Sequence, residues 1–250
     1  FYYYFFKIVN KGNFPSIFLF SFIVGLLILT RREFIGIFVL SSSYLFIFFR
    51  ISIKKILLIA LITLITTSPY LIRNFLIFEK VTIQAGFGFN VWKSNNPNSK
   101  VEGSTLIDDN LQKQIDKIPK DKFYRINEDK IFLGQAIEYI KKEPKRYLIL
   151  YFKKVASFLF INIDSSQPLY YNALHYLPVL LLGLTSLIGI ILSDKKSYQL
   201  NYLILIFFFY IIIFSAFAIL PRYKLYIIPL QIIFTGVFLD YIKNKFVKRK

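Results

Sequence analysis

Six long apolar runs constrain this chain more than any other feature of its sequence. They cover residues 14–30, 34–49, 54–72, 175–193, 199–220 and 225–242. Each is close to the ~20 residues that an α-helix needs to cross the hydrocarbon core of a bilayer. The sequence therefore predicts an all-α polytopic membrane protein. Three transmembrane helices lie in 1–72, and three more, followed by a basic cytoplasmic tail, lie in 175–250.

Basic residues between the runs indicate which way each helix crosses. The tail after residue 242 is strongly basic, the loop SDKKS joins the fourth and fifth runs, and Lys54 and Lys55 begin the third. Short cytoplasmic loops carry an excess of Lys and Arg, so we place these three segments inside. Residues 73–174 then begin and end outside the cytoplasm.

The outer segment 73–174 is expected to be an extracytoplasmic loop that carries a small helical insert. Pro119 interrupts the insert, and a helix is predicted over about residues 128–143. A seventh apolar run, 147–163, holds two lysines near its middle, which makes a crossing costly. One face of this run carries apolar residues at helical spacing, namely Leu148, Phe152, Val155 and Leu159. We therefore predict an interfacial helix in the headgroup plane, and a true span stays the alternative.

The charge and composition argue against several other classes. The net charge is +18, cysteine is absent and histidine occurs once, at His175. A disulfide framework and a thiolate metal site are therefore impossible, and a histidine metal site or a Ser-His-Asp triad is not expected. No basic stripe lies on a separate soluble domain, so we expect anionic lipid and no nucleic acid as the partner of the charge. The chain lacks Met and opens on the aromatic run FYYYFF, so we interpret it as the C-terminal part of a longer protein.

Four short stretches follow one another along the chain. GLLILTRREF ends the first run, SPYLIRNFLIF ends the third, GFNVWKSNNP opens the outer segment, and PRYKLYIIPL links the last two runs. In this order they resemble membrane glycosyltransferases of the protein-O-mannosyltransferase and aminoarabinose-lipid A transferase type. The resemblance implies a GT-C-like transmembrane helix bundle in the bacterial inner (plasma) membrane, with its active face outside the cytoplasm. It implies transfer of a sugar from a polyprenyl-phosphate carrier to a lipid, glycan or protein acceptor. The donor would be the polyprenyl-phosphate-linked sugar, and a need for a divalent metal stays open.

The chain departs from that family's pattern at two places. Ser94 stands where the family usually has Gly before Asn-Asn-Pro. The family's catalytic Asp lies on the first outer loop, and nothing here matches it, so we expect the catalytic residue upstream of residue 1. The alternative is the pair Asp108 and Asp109, since paired carboxylates can divide acid and base roles. Against it stands their interpretation as the N-cap and first-turn acid of a helix.

Basic residues at the outer helix ends are the candidates for binding the carrier phosphate. Arg31 follows the first run, Arg73 ends the third, and Arg222 and Lys224 lie between the last two. A guanidinium can bind phosphate through two parallel hydrogen bonds. Fixed cations would also stabilise the charge that grows on a phosphate leaving group. The alternative is that these side chains are snorkelling anchors at the headgroup boundary.

Four further residues are candidates for contacts with the sugar or the acceptor: Asn74, Trp92, Asn95 and Asn96. Asparagine amides offer uncharged donors and acceptors to hydroxyl groups, and Trp92 offers an apolar face to a sugar ring. The alternative is a structural Asx-turn that satisfies its own backbone.

Two other functions compete with sugar transfer. An O-antigen polymerase or ligase also has many spans and a large outer loop. A polysaccharide-lipid exporter should carry charged residues within its spans, and the six runs are nearly free of them.

Overall fold

The computed structural model describes residues 1–83, 86–162, 165, 173–194 and 196–247, and it is all-helical over them. The all-α prediction is confirmed for these residues. The helices are α1 (Tyr2–Lys11), α2 (Phe14–Thr30), α3 (Phe34–Ile47), α4 (Ile53–Phe78), α5 (Phe87–Asn95), α6 (Asp109–Asp116), α7 (Tyr124–Lys142), α8 (Pro144–Leu159), α9 (Ala173–Leu192), α10 (Tyr198–Ser215) and α11 (Ile228–Val247). A 3-10 helix over Pro221–Tyr226 precedes α11.

All six apolar runs form helices, namely α2, α3, α4, α9, α10 and α11. Among the described residues, α4 and α10 are long and apolar enough to cross a membrane, and α2, α3 and the part of α9 from Tyr176 to Leu192 are shorter apolar helices. Helix α4 continues through Phe78 and accommodates Pro69 in its interior. Part of the end of the predicted outer segment, residues 163–164 and 166–172, lies outside the described residues, as does the side chain of His175.

Helix α10 ends at Ser215, before the predicted end of its run, because the chain beyond it bonds to distant residues. The backbone N–H of Ala218 donates to Oγ of Ser94 at 2.6 Å. The N–H of Ile219 donates to the carbonyl of Val101 at 2.9 Å. A helix would have used both N–H groups internally, so these bonds replace its last turn.

The chain forms two compact units, residues 1–85 with 120–123, and residues 86–119 with 124–250. The first unit contains α1 to α4. The second contains α5 to α11 together with the 3-10 helix, so residues 86–119 and 124–162 of the outer segment belong to the same unit as the last three apolar helices.

Helices α2 and α4 of the first unit run in the same direction. Oγ1 of Thr63 on α4 donates to the carbonyl of Ser21 on α2 at 3.3 Å. One turn further along both helices, a Cβ on Gly25 would lie 2.6 Å from Cβ of Thr66. Small and hydroxyl-bearing residues let apolar helices approach this closely.

Helices α9 and α11 of the second unit pack closely against each other. The carbonyl of Leu159 accepts from Nε2 of Gln231 at 3.2 Å, and a Cβ on Gly183 would lie 2.7 Å from the same oxygen. The hydroxyls of Thr185 and Thr235 are 2.9 Å apart, and a Cβ on Gly189 would lie 1.8 Å from the carbonyl oxygen of Phe234. These contacts hold α9 against α11.

A separate apolar cluster holds the outer insert of the second unit together. Helix α7, predicted over about 128–143, packs against α5, which the sequence did not predict as a helix. Their shared cluster consists of Trp92, Leu111, Ile115, Ile118, Phe132 and Ala136. Asp108 accepts from the N–H of Leu111 at 2.8 Å and caps α6, which matches its interpretation as a helix N-cap.

Candidate functional site

Two of the predicted phosphate ligands, Arg31 and Arg73, lie at the same end of the first unit. Gly25 packs against Thr66 in the parallel pair of α2 and α4, and the two arginines follow these contacts by six and seven residues. At about 1.5 Å per residue, both positions lie roughly 10 Å further along the helix axes. Lys55 lies at the opposite end, in the first turn of α4. The packing of α2 on α4 therefore gathers these two arginines at one level.

Asn74 orients the guanidinium of Arg73. The Asn74 side chain is buried, and its Oδ1 accepts from Nη1 of Arg73 at 3.2 Å. Its Nδ2 donates to the carbonyl of Thr82 at 2.6 Å, which ties the end of α4 to the turn that follows. Both polar atoms of the Asn74 side chain thus have protein partners. The guanidinium of Arg73 beside it is exposed.

Trp92 is enclosed in the apolar cluster of the insert. The residue is 1% exposed. Its ring lies 4.8 Å from the ring of Phe132 and 5.9 Å from that of Phe89, centroid to centroid. The open stacking face that the sequence suggested is not present in this structure. Trp92 instead stabilises the contact between α5 and α7, since aromatic rings dominate the energetics of such small cores.

Asn95 and Asn96 are also engaged with the protein. Nδ2 of Asn95 donates to the carbonyl of Val91 at 2.9 Å, and Nδ2 of Asn96 donates to the carbonyl of Ser104 at 2.8 Å. Oδ1 of Asn96 accepts from the N–H of Asn98 at 2.9 Å. This last bond is an Asx-turn. The amide nitrogens of Asn95 and Asn96 donate to the protein backbone, as a structural turn requires, rather than to an open binding surface.

Ser94 joins two parts of the second unit through its hydroxyl group. Its Oγ donates to the carbonyl of Asn90 at 2.5 Å and accepts from the N–H of Ala218 at 2.6 Å. The hydroxyl thus joins α5 to the segment that leads into the 3-10 helix. Gly103, with φ of +79°, lies against the same segment, where a Cβ would come within 2.9 Å of Cβ of Ala218. The loop is fixed to the chain beyond α10 at both of its ends.

Lys154 is a residue of this site that sequence reasoning missed. It is 1% exposed, although it lies on a helix with a largely apolar outer face. Its Nζ donates to the carbonyl of Ser94 at 2.8 Å and to Oδ1 of Asn95 at 3.2 Å. The carbonyl end of a helix is partly negative and favours a cation, so α5 supplies a suitable partner. Burial lowers the pKa of Lys154 from 10.5 to about 7.

The face of α8 opposite Lys154 is apolar and exposed, as its spacing predicted. Leu148 and Phe152 are 58% and 60% exposed, and Val155 and Leu159 are half-buried. The depth of this helix in a membrane stays a prediction.

The two remaining predicted phosphate ligands lie on the 3-10 helix of the second unit. Arg222 is exposed, and its guanidinium carbon lies 5.5 Å from the ring centroid of Tyr223. Lys224 is half-buried and its Nζ donates to the carbonyl of Phe160. Burial lowers the pKa of Lys224 from 10.5 to about 8. The four predicted ligands thus divide between the units, Arg31 and Arg73 in the first and these two in the second.

A carboxylate lies beside the same part of the second unit. Oε1 of Glu102 accepts from Nδ2 of Asn162 at 3.0 Å and from Oγ of Ser165. Asn162 is two residues beyond Phe160, whose carbonyl accepts from Nζ of Lys224. The short segment 160–162 therefore contacts both Glu102 and Lys224. In the sequence, Glu102 is marked only by its position beside Gly103 in the outer segment. Among the described residues, no three His, Asp or Glu side chains converge in a way that could hold a metal ion.

No protein-family model, no curated protein and no solved structure matches the chain.

Proposed function

We propose that this chain is part of a multi-pass membrane glycosyltransferase of GT-C type that moves a sugar from a polyprenyl-phosphate carrier to an acceptor outside the cytoplasm. Support comes from the ordered resemblance of four stretches, whose basic residues stand at helix ends. The observation that carries the proposal furthest is the alignment of Arg31 with Arg73 at one end of the parallel helices α2 and α4. A lipid phosphate at a bilayer surface occupies a single depth, so cations that bind it must share that depth.

In the proposed sugar transfer, these basic residues bind the carrier phosphate and stabilise its charge. An acceptor hydroxyl attacks the anomeric carbon with inversion, the bond from that carbon to the phosphate oxygen breaks, and the phosphate leaves with the electron pair. Guanidinium groups at the phosphate stabilise that developing charge. The hydroxyl proton passes to a base that no residue of this chain is assigned to supply.

The test uses membranes that contain the protein at matched levels, supplied with radiolabelled polyprenyl-phosphate sugars. The variants Arg73→Ala and Arg222→Ala should slow sugar transfer by roughly ten- to a hundredfold at low donor concentration, because a charge-assisted contact is worth about 1.5–3 kcal/mol. Lys at either position should restore part of the rate, since an ammonium lacks the planar fork of arginine. Full transfer by both alanine variants would reject the phosphate-binding role.

A matched control is Arg50→Ala, which should transfer at the unaltered rate. Arg50 is exposed and lies between α3 and α4, next to the end of α4 that is opposite Arg73. Release of the labelled sugar from its carrier separates transfer from export, because an exporter would move the lipid with its sugar–phosphate bond intact.

A further inference from the structure

A cavity of about 250 Å³ lies between α8 and the loop that follows α5. Its lining consists of Ser99, Lys100, Val101, Arg146, Ile149, Leu150 and Lys153. Three of these side chains are cationic and none is acidic. The volume is slightly below the ~300–1,000 Å³ of typical small-molecule sites, which suits a headgroup better than a whole lipid.

The cationic side chains of the cavity are arranged by the helix itself. Arg146 and Lys153 are seven residues apart on α8, so they lie two turns apart on one stripe, with Ile149 and Leu150 between them. Lys100 faces this stripe from the loop. All three therefore line the same small volume from two elements, which the hydrogen bond from Lys154 to the carbonyl of Ser94 joins.

Arg146 is held in place but keeps donors for a ligand. Nη2 donates to the carbonyl of Pro97, and Nη1 lies 3.5 Å from a carboxylate oxygen of Glu143. A guanidinium has five N–H donors, so these contacts leave others available. Ser99 is already bonded, since its Oγ donates to the carbonyl of Lys93 at 2.8 Å. A ligand in this cavity would therefore be bound by the cationic side chains rather than by the hydroxyl of Ser99.

The cavity opens beside an exposed apolar surface on the same helix. Leu148, Ile149 and Phe152 are 58%, 51% and 60% exposed. Ile149 belongs both to this surface and to the cavity lining. A ligand that matches both features carries an anionic group next to apolar chains, which describes an anionic phospholipid.

We propose that this cavity binds the phosphate of an anionic phospholipid, whose acyl chains lie along Leu148, Ile149 and Phe152. A soluble phosphate shares the chemistry of the headgroup but gains nothing from the apolar surface. The inference is independent of sugar transfer and requires only that the chain is associated with a membrane.

The experiment measures lipid binding to the full 250-residue chain, purified in a neutral detergent, by native mass spectrometry. Phosphatidylglycerol should be retained in preference to phosphatidylcholine. The triple variant Lys100→Ala, Arg146→Ala, Lys153→Ala should weaken phosphatidylglycerol binding by roughly tenfold or more, the effect expected for lost charge-assisted contacts. Equal retention of both lipids by the unaltered chain would overturn the proposal.

Controls separate the lipid from a soluble ligand and from misfolding. Lys145→Ala, an exposed lysine of the same helix outside the cavity, should leave binding unchanged. If the triple variant fails to fold, Lys100→Gln with Lys153→Gln replaces it, since both side chains are exposed. Leu148→Ser with Phe152→Ser should also weaken phosphatidylglycerol binding. Displacement of the lipid by equimolar glycerol 1-phosphate or inorganic phosphate would assign the cavity to a soluble phosphate and overturn the proposal.

Discussion

At the scale of single residues, Lys154 shows how burial couples a charge to stability. Burial lowers its pKa from 10.5 to about 7 in the folded chain. Between these values the unfolded chain holds a proton that the folded chain does not, so the free energy of unfolding rises with pH across this window. Lys224 changes in the same direction, with a pKa of about 8.

We therefore expect the unaltered chain to melt at higher temperature at pH 9 than at pH 7, and Lys154→Met to reduce this difference. Methionine keeps much of the side-chain length but cannot carry a proton. The measurement is thermal unfolding in detergent, followed by the fluorescence of Trp92. Lys153→Met is the control, because this neighbour is exposed and should keep the full pH dependence. An unchanged slope in Lys154→Met would show that its burial does not set the effect.

At the scale of elements, the contact between α5 and α7 depends on a glycine. A Cβ on Gly88 would lie 1.9 Å from the carbonyl oxygen of Asp129, a distance that no packed structure permits. The carboxylate of Asp129 accepts from the N–H of Phe89 at 2.9 Å and so caps the first turn of α5. The close approach and the cap both join the first turn of α5 to the turn of α7 that contains Asp129.

Gly88→Ala should therefore destabilise the insert, by about 1–3 kcal/mol or more, because the added methyl group forces the helices apart. The matched control is Gly134→Ala on α7, where nothing lies within 4 Å of the new Cβ. That change should be neutral or stabilising by up to about 1 kcal/mol, the difference in helix propensity. Denaturant unfolding followed by Trp92 fluorescence gives both values. Equal effects of the two changes would contradict the close packing of α5 on α7.

At the scale of the whole molecule, the proposed membrane topology gives a test that needs no assay of function. The parallel pair α2–α4 fits helices that cross in alternation with α3. The outer loop and the 3-10 helix are then outside the cytoplasm, and the loop between α9 and α10 is inside. The chain has no cysteine, so single introduced cysteines report one position each.

Asn98→Cys and Leu225→Cys should react with a membrane-impermeant maleimide in intact cells, and Lys196→Cys should react only after permeabilisation. All three positions are exposed in the structure. Ser99 and Ser165, although polar and in the outer segment, are 6% exposed and would be poor probes. Labelling of Lys196→Cys in intact cells would reverse or break the proposed topology.

The sequence by itself determined where the six long apolar helices lie. An apolar run of sufficient length forms a helix whose backbone hydrogen bonds are all local, so α2, α3 and α9 begin and end close to the predicted residues. The N-cap at Asp108 was foreseeable for the same reason, since its bond to Leu111 spans three residues. Arg31 and Arg73 could be proposed as a pair because the number of crossings between them is countable from the runs.

Only the tertiary structure decided which polar side chains are buried and which groups they bond to. Lys154 meets Ser94 from 60 residues away along the chain, and Ser94 meets Ala218 from 124 residues away. Trp92 is enclosed because α7 packs over it. No local pattern encodes such partners, because a buried polar group or ring is satisfied by whatever the fold brings beside it. The loop that composition alone suggests as an open binding surface is, for this reason, a junction between three parts of one unit.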